Sequence, residues 1–170
     1  ERTLSVFPGQ QELEDDLRDH WNSPAHKQER LRFIHRLLAL SQARKYRVTL
    51  LSGDVHVGAV GIVASSRDGA SDRSAQVISQ LTSSGIVHPA PPGVMLFFLE
   101  NVMGKQYVDD RDITSEMTPF PGTRTYYIGT RNWLALEPDE SGRIWAKWHV
   151  ENVSQPYTKV IHPIGYKILE

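Results

Sequence analysis

VTLLSGDVHVGAVG, residues 48–61, is an apolar run interrupted at one place by Ser52, Gly53, Asp54 and His56. The first part, within "RVTLLS", has no polar alternation beyond Thr49, the pattern of a strand buried on both faces. "VGAVGIVAS" (57–65) follows as a second strand, rich in Gly and Ala, whose small residues admit another backbone or layer. Between them a carboxylate and an imidazole stand two positions apart. In an extended segment residues i and i+2 point to the same side, so both side chains can reach one centre. The end of a strand in an α/β sheet is also where ligands gather. Asp54 and His56 are therefore the candidate site residues. An Asp at a strand end can also simply satisfy turn amides, and both readings stand at this level.

Outward from this stretch the chain alternates in character. Upstream, Leu13, Leu17 and Trp21 recur at a spacing of four among the acids of residues 12–22. Ser23-Pro24 reads as a helix start, Ser as N-cap and Pro at the first helical position. The helix is expected to run to about Lys45, with Leu31, Ile34, Leu38 and Phe33, Leu37, Leu40 forming a broad apolar stripe. Downstream, "QVISQLT" (76–82) reads as a third strand, ending in Ser83-Ser84-Gly85 on the same rim as Asp54. Residues 95–103 fit a short helix or a strand equally, 104–123 read as a loop, and 124–129 as a strand. "NWLALE-PDESG-RIWAKWHV" is two alternating runs joined by a Pro/Asp/Ser/Gly turn, a β-hairpin at 132–150 with Ile144, Ala146, Trp148 and Val150 on one face. The end, "KVIHPIGYKILE", reads as a last strand. The expected organisation is a helical lead-in over 1–45 and a sheet-rich part over 46–170. It is α/β, with enough strands for two packed sheets.

Composition bounds the function. The chain has 170 residues, a formal net charge of −1 and no cysteine. Its length suggests one domain, and near-neutral charge gives no field for nucleic acid or an anionic membrane. No run is long enough to cross a bilayer. Without cysteine there is no disulfide framework or thiolate metal site. That absence fits a reducing compartment, so the expected location is cytoplasmic.

Several sequence features have plainer readings. Asp15, Asp16 and Asp19 read as a solvated helix face. His20 and Trp21 could line a cleft, while His26 and His35 read as helix-flank residues. His88, His149 and His162 read as structural, and Trp133, Trp145 and Trp148 as packing within one hairpin. The acids of "VDDRD" (108–112) lack the Gly and Glu of a calcium loop. Ser83 and Ser84 are candidate phosphate contacts, with a turn-forming role as the simpler alternative.

The order of segments carries a resemblance. "DDLRDHWNSPAHKQERLRFIHRLLALS" followed by "VTLLSGDVHVGAVG" resembles the later half of the alkaline phosphatase D family, the PhoD-like metallophosphatases of the calcineurin-like metallophosphoesterase superfamily. "RNWLALEPDESGRIWAKWHVE" and "YTKVIHPI" are similar to the tail of a fungal-type, cytosolic-looking subgroup. The resemblance implies a four-layer α/β/β/α fold with two packed mixed sheets, and a dinuclear metal site that hydrolyses phosphate mono- or diesters. The metals would be iron, calcium, zinc or manganese. The Gly-Asp-x-His of this branch falls on Gly53, Asp54 and His56, which implies that Asp54 and His56 are metal ligands and catalytic residues. Gly-Asp-x-x-Asp and Asn-His, earlier ligand motifs of the superfamily, do not occur in the chain. The chain is therefore expected to be the C-terminal portion of a larger catalytic domain, inactive alone, with a phosphate ester and the N-terminal remainder as its partners. A non-catalytic or degenerate interaction domain of the same fold, or a β-rich binding module, is the alternative.

Overall fold

A computed structural model of the chain describes residues 23–53, 57–66, 73–83, 85–87, 93, 96–97 and 106–165. Asp54, His56 and Ser84 lie outside the described residues, as do Asp15, Asp16, Asp19, His20, Trp21, His88 and most of 95–103. The chain divides into two units, Glu1–Arg36 and Leu37–Glu170.

Pro24–His26 forms a 3-10 turn and Lys27–Arg44 the helix α1. Ser23 is extended and Pro24 takes the first helical position, as the sequence anticipates, but the Ser23 hydroxyl makes no capping bond. Lys45 ends the helix in the left-handed region at φ 58°, a conformation that releases the chain from the helical path. The apolar stripe is narrower than expected. Leu31, Ile34 and Leu38 are buried, whereas Phe33 is 43% and Leu40 48% exposed. The buried set keeps the three- and four-residue spacing of a single seam.

The first sheet contains β1 (Thr49–Ser52), β2 (Gly58–Ser65), β3 (Val77–Thr82), β4 (Gln106–Asp110), β5 (Ile113–Thr118) and β6 (Tyr127–Ile128). Its order is β1-β3-β2-β5-β4, with β6 also paired to β2. β1 and β3 are parallel and the other pairings antiparallel. Two-sided burial belongs to the central strands and not to β1. Val60 and Leu81 on one face, and Ala59, Val63 and Ile78 on the other, are all buried. Among the described strands β1 pairs only with β3, and Leu51 is 58% exposed. An apolar run by itself does not distinguish a central strand from an edge.

Residues 104–123, expected as a loop, contain the β4–β5 hairpin, with a bulge between Val108 and Asp110. The acids that suggested a loop cluster at its turn, where Asp110 Oδ1 accepts the Arg111 N–H at 2.8 Å. The predicted strand over 124–129 shortens to the two residues of β6.

The second sheet is β7 (Asn132–Pro138), β8 (Ile144–Val150) and β9 (Tyr157–Ile161), antiparallel throughout. The 132–150 hairpin forms as its alternation predicts. Its turn is organised by Asp139, whose Oδ1 accepts the backbone N–H groups of Ser141 (2.9 Å) and Arg143 (3.0 Å). Asp139 Oδ2 accepts from Arg143 Nε at 2.6 Å and Trp145 Nε1 at 2.8 Å. Gly142 supplies the left-handed residue, at φ 72°.

The two sheets share a core. Val60, Leu81 and Ile128 of the first meet Ala146, Trp148 and Ile161 of the second, with Phe120 between them. Phe120 packs edge-on to Trp148, ring centroids 5.1 Å apart, a favoured geometry for aromatic quadrupoles. An α/β domain with two sheets is thus the observed architecture.

Candidate functional site

The parallel pair β1–β3 fixes where the Gly-Asp-x-His stretch leaves the sheet. Ser52 pairs with Thr82, and Thr82 pairs in turn with Ala59 of β2. Ala59 pairs with Tyr127 of β6, which completes a row across four strands. Gly53 and Ser83 each stand one residue past this row, at the carboxyl ends of β1 and β3. Gly58 occupies the corresponding place at the start of β2. β3 lies between β1 and β2, so Gly53 and Val57, the described residues flanking Asp54 and His56, bracket its carboxyl end.

This rim is tied together by short polar contacts. The Ser52 and Thr82 hydroxyls share a hydrogen bond at 3.0 Å. The Ser83 N–H donates to the Ser52 carbonyl at 3.1 Å. Trp148, fully buried, reaches from the second sheet and donates its Nε1–H to the Thr82 carbonyl at 3.0 Å. Ser83 Oγ donates to Asn132 Oδ1 at 2.9 Å, and Asn132 Nδ2 donates to the Thr130 carbonyl at 2.9 Å. Asn132 is 2% exposed. Its carboxamide lies over Gly58, where an added Cβ would come 3.0 Å from Oδ1. A side chain at 58 would sit tight against this carboxamide, which would have to give by a few tenths of an ångström. Among the described residues, apart from its chain neighbours, none has an atom within 4 Å of a Cβ built on Gly53.

The Ser83 hydroxyl proton is committed to Asn132 in this arrangement, and its oxygen keeps acceptor capacity. Asp110 and Asp112 sit at the β4–β5 turn. Among the described residues no group of three His, Asp or Glu side chains is placed to hold a metal ion. The carboxyl of Asp139 is held down to about 2, first by the Trp145 indole N–H and, against the opposing effect of burial, by the Arg143 and Ser141 donors. Such an acid is a weak base and serves the turn. Burial lowers the pKa of Lys159, which pairs with Ala146 and so shares the inward face of the second sheet.

The hairpin tryptophans divide in role. Trp148 is core, Trp145 is bonded to Asp139, and Trp133 is 47% exposed and stacked on His149, centroids 4.1 Å apart and planes 9° from parallel. Ser83, Gly85, Ile86, Asn132, Trp133 and Leu134 line a cavity of about 510 Å³ beside the rim. Reading the sequence for carboxylates and imidazoles missed Asn132. Its signal lay in the alternation: Asn132 shares parity with Leu134 and with the inward face of β8, so it is a polar residue on a core face. Such a residue needs partners when buried.

A family described as PhoD related phosphatase matches residues 1–123. A yeast relative, the uncharacterized protein YGR266W of Saccharomyces cerevisiae, is 32% identical over 164 residues, covering 81% of this chain and 23% of the yeast protein. The chain thus spans about a quarter of the length of that relative. No solved structure matches. Among the described residues no helix is long and apolar enough to cross a membrane.

Proposed function

The chain belongs to the PhoD-related phosphatase family, and from that premise we propose that it takes part in metal-dependent hydrolysis of phosphate mono- or diesters. Asp54 and His56 are its contribution to a dinuclear site. The observation that carries this reading is the position of the residues flanking them. Gly53 follows β1, and Ser83 follows the parallel neighbour β3, with the Ser83 N–H on the Ser52 carbonyl. Carboxyl ends of parallel strands are where α/β sheets take their ligands.

In this account Asp54 provides a hard carboxylate and His56 a borderline imidazole, a pair that suits iron, zinc, manganese or, for the carboxylate, calcium. When bound, two such metals supply Lewis acidity and an activated water. Two protein ligands fall short of the three or so that a catalytic zinc-type site uses, so the remaining ligands come from elsewhere. We place them, with the rest of a four-layer α/β/β/α fold, in a longer polypeptide of which this chain is the C-terminal part. The role of this chain's rim is to hold its strand ends fixed, through Ser52–Thr82, Ser83–Asn132 and Trp148–Thr82. The phosphate ester is thereby met by a preorganised edge.

The test is hydrolysis of p-nitrophenyl phosphate and bis-p-nitrophenyl phosphate by the full-length protein, with and without a chelator. Turnover that disappears with chelator and returns with added divalent metal supports the proposal. Metal-independent turnover, or none under any metal, contradicts it.

A further inference from the structure

The cavity next to Ser83 has a composition that a phosphate-binding edge does not require. Among the described residues that line it, Ile86, Trp133 and Leu134 are large and apolar. The polar side chains among them are already engaged, Ser83 Oγ with Asn132 Oδ1 and Asn132 Nδ2 with the Thr130 carbonyl. Ile86 is 68% exposed and Trp133 47% exposed. The Trp133 indole lies flat on His149, within 9° of parallel. The stack holds the ring in one orientation, which reduces the entropy lost when a ligand packs on it. The volume, about 510 Å³, lies within the roughly 300–1,000 Å³ of small-ligand sites. Ser83 and Gly85 make the cavity continuous with the carboxyl end of β3.

We propose that this cavity is the subsite for the alcohol portion of the ester, and that it selects esters of flat, ring-bearing alcohols over small polar ones. The inference rests on the chain's proposed role in phosphate-ester hydrolysis. Hydrolysis breaks the phosphoryl–oxygen bond with water. The cavity holds the alcohol that departs, while the phosphoryl group stays at the rim. Packing a second ring against Trp133, Ile86 and Leu134 removes further apolar area from water, which acts through substrate affinity.

The experiment compares phenyl phosphate with 2-naphthyl phosphate on the full-length protein, two esters of similar reactivity that differ by one ring. The expected kcat/KM ratio favours the naphthyl ester by about tenfold or more, mainly through KM, in line with pocket discrimination of one apolar increment. Trp133→Ala and, separately, Ile86→Ser bring the ratio to within about twofold of unity. Two variants are used because Trp133 also stacks on His149, while Ile86 is the more exposed. In parallel, 2-naphthol is titrated and the Trp133 indole N–H followed by NMR, with a saturable shift expected. Hydrolysis of both esters at a ratio that neither variant changes, or no naphthol-induced shift at Trp133, overturns the subsite and leaves the hydrolase reading standing. No hydrolysis of either ester, nor of the corresponding methyl diesters, overturns the hydrolase reading and the subsite with it.

Discussion

Ser83 Oγ donates to Asn132 Oδ1 at 2.9 Å, and this bond joins the carboxyl end of β3 in one sheet to the start of β7 in the other. It is made where Asn132 is 2% exposed, so removing the donor strands a buried acceptor. Ser83→Ala should therefore cost about 1–3 kcal/mol, measured by urea unfolding. Gly58→Ala pushes a methyl toward the same carboxamide and should disturb the same bond. The double variant should then lose less than the sum of the two, since both act on one contact. Additive losses would show that the two sites act independently.

Trp148 has two roles that substitution can separate. Its ring is fully buried against Phe120, and its Nε1–H serves the Thr82 carbonyl. Trp148→Phe keeps most of the apolar contact and removes the donor, with an expected cost of about 1–3 kcal/mol from the unpaired carbonyl and the lost volume. Trp148→Ala empties the core and should cost about 3–5 kcal/mol. Equal losses in chemical denaturation would mean that packing at Trp148 matters less than its hydrogen bond.

Asp139 gives the second sheet an acid-sensitive turn. Its pKa is about 2, lowered chiefly by the Trp145 indole and then by Arg143 and Ser141, whereas a free aspartate titrates near 3.9. A carboxylate depressed by folding adds stability that is fully present above the unfolded pKa. That contribution fades as pH falls through the folded one. Between about pH 4 and pH 2 the wild-type chain should lose stability more steeply than Asp139→Asn. Parallel pH profiles from urea melts would contradict this assignment.

The second sheet was legible because its alternation is strict and its turn is rich in Pro, Asp, Ser and Gly. Ile144, Ala146, Trp148 and Val150 do share the inward face. The first sheet was legible in its strands but not in its order. An apolar run marks β1 as a strand, yet the pairing that makes it an edge depends on residues thirty positions away. β5 escaped notice because "ITSEMT" carries few apolar residues, and burial of Ile113 alone anchors it. Near the proposed site, Ser83 at the end of β3 could be read directly, while Asp54 and His56 lie outside the described residues. Asn132 could not be read as Ser83's partner, because their contact joins residues 49 positions apart.

The most direct test of the central claim is the metal content of the full-length protein, by inductively coupled plasma mass spectrometry, for wild type and Asp54→Ala. The proposed site predicts about two metal ions per chain in the wild type. In the variant it predicts a clear drop, with p-nitrophenyl phosphate hydrolysis falling to background. Unchanged metal content and unchanged hydrolysis in Asp54→Ala would contradict the assignment of Asp54 to the site.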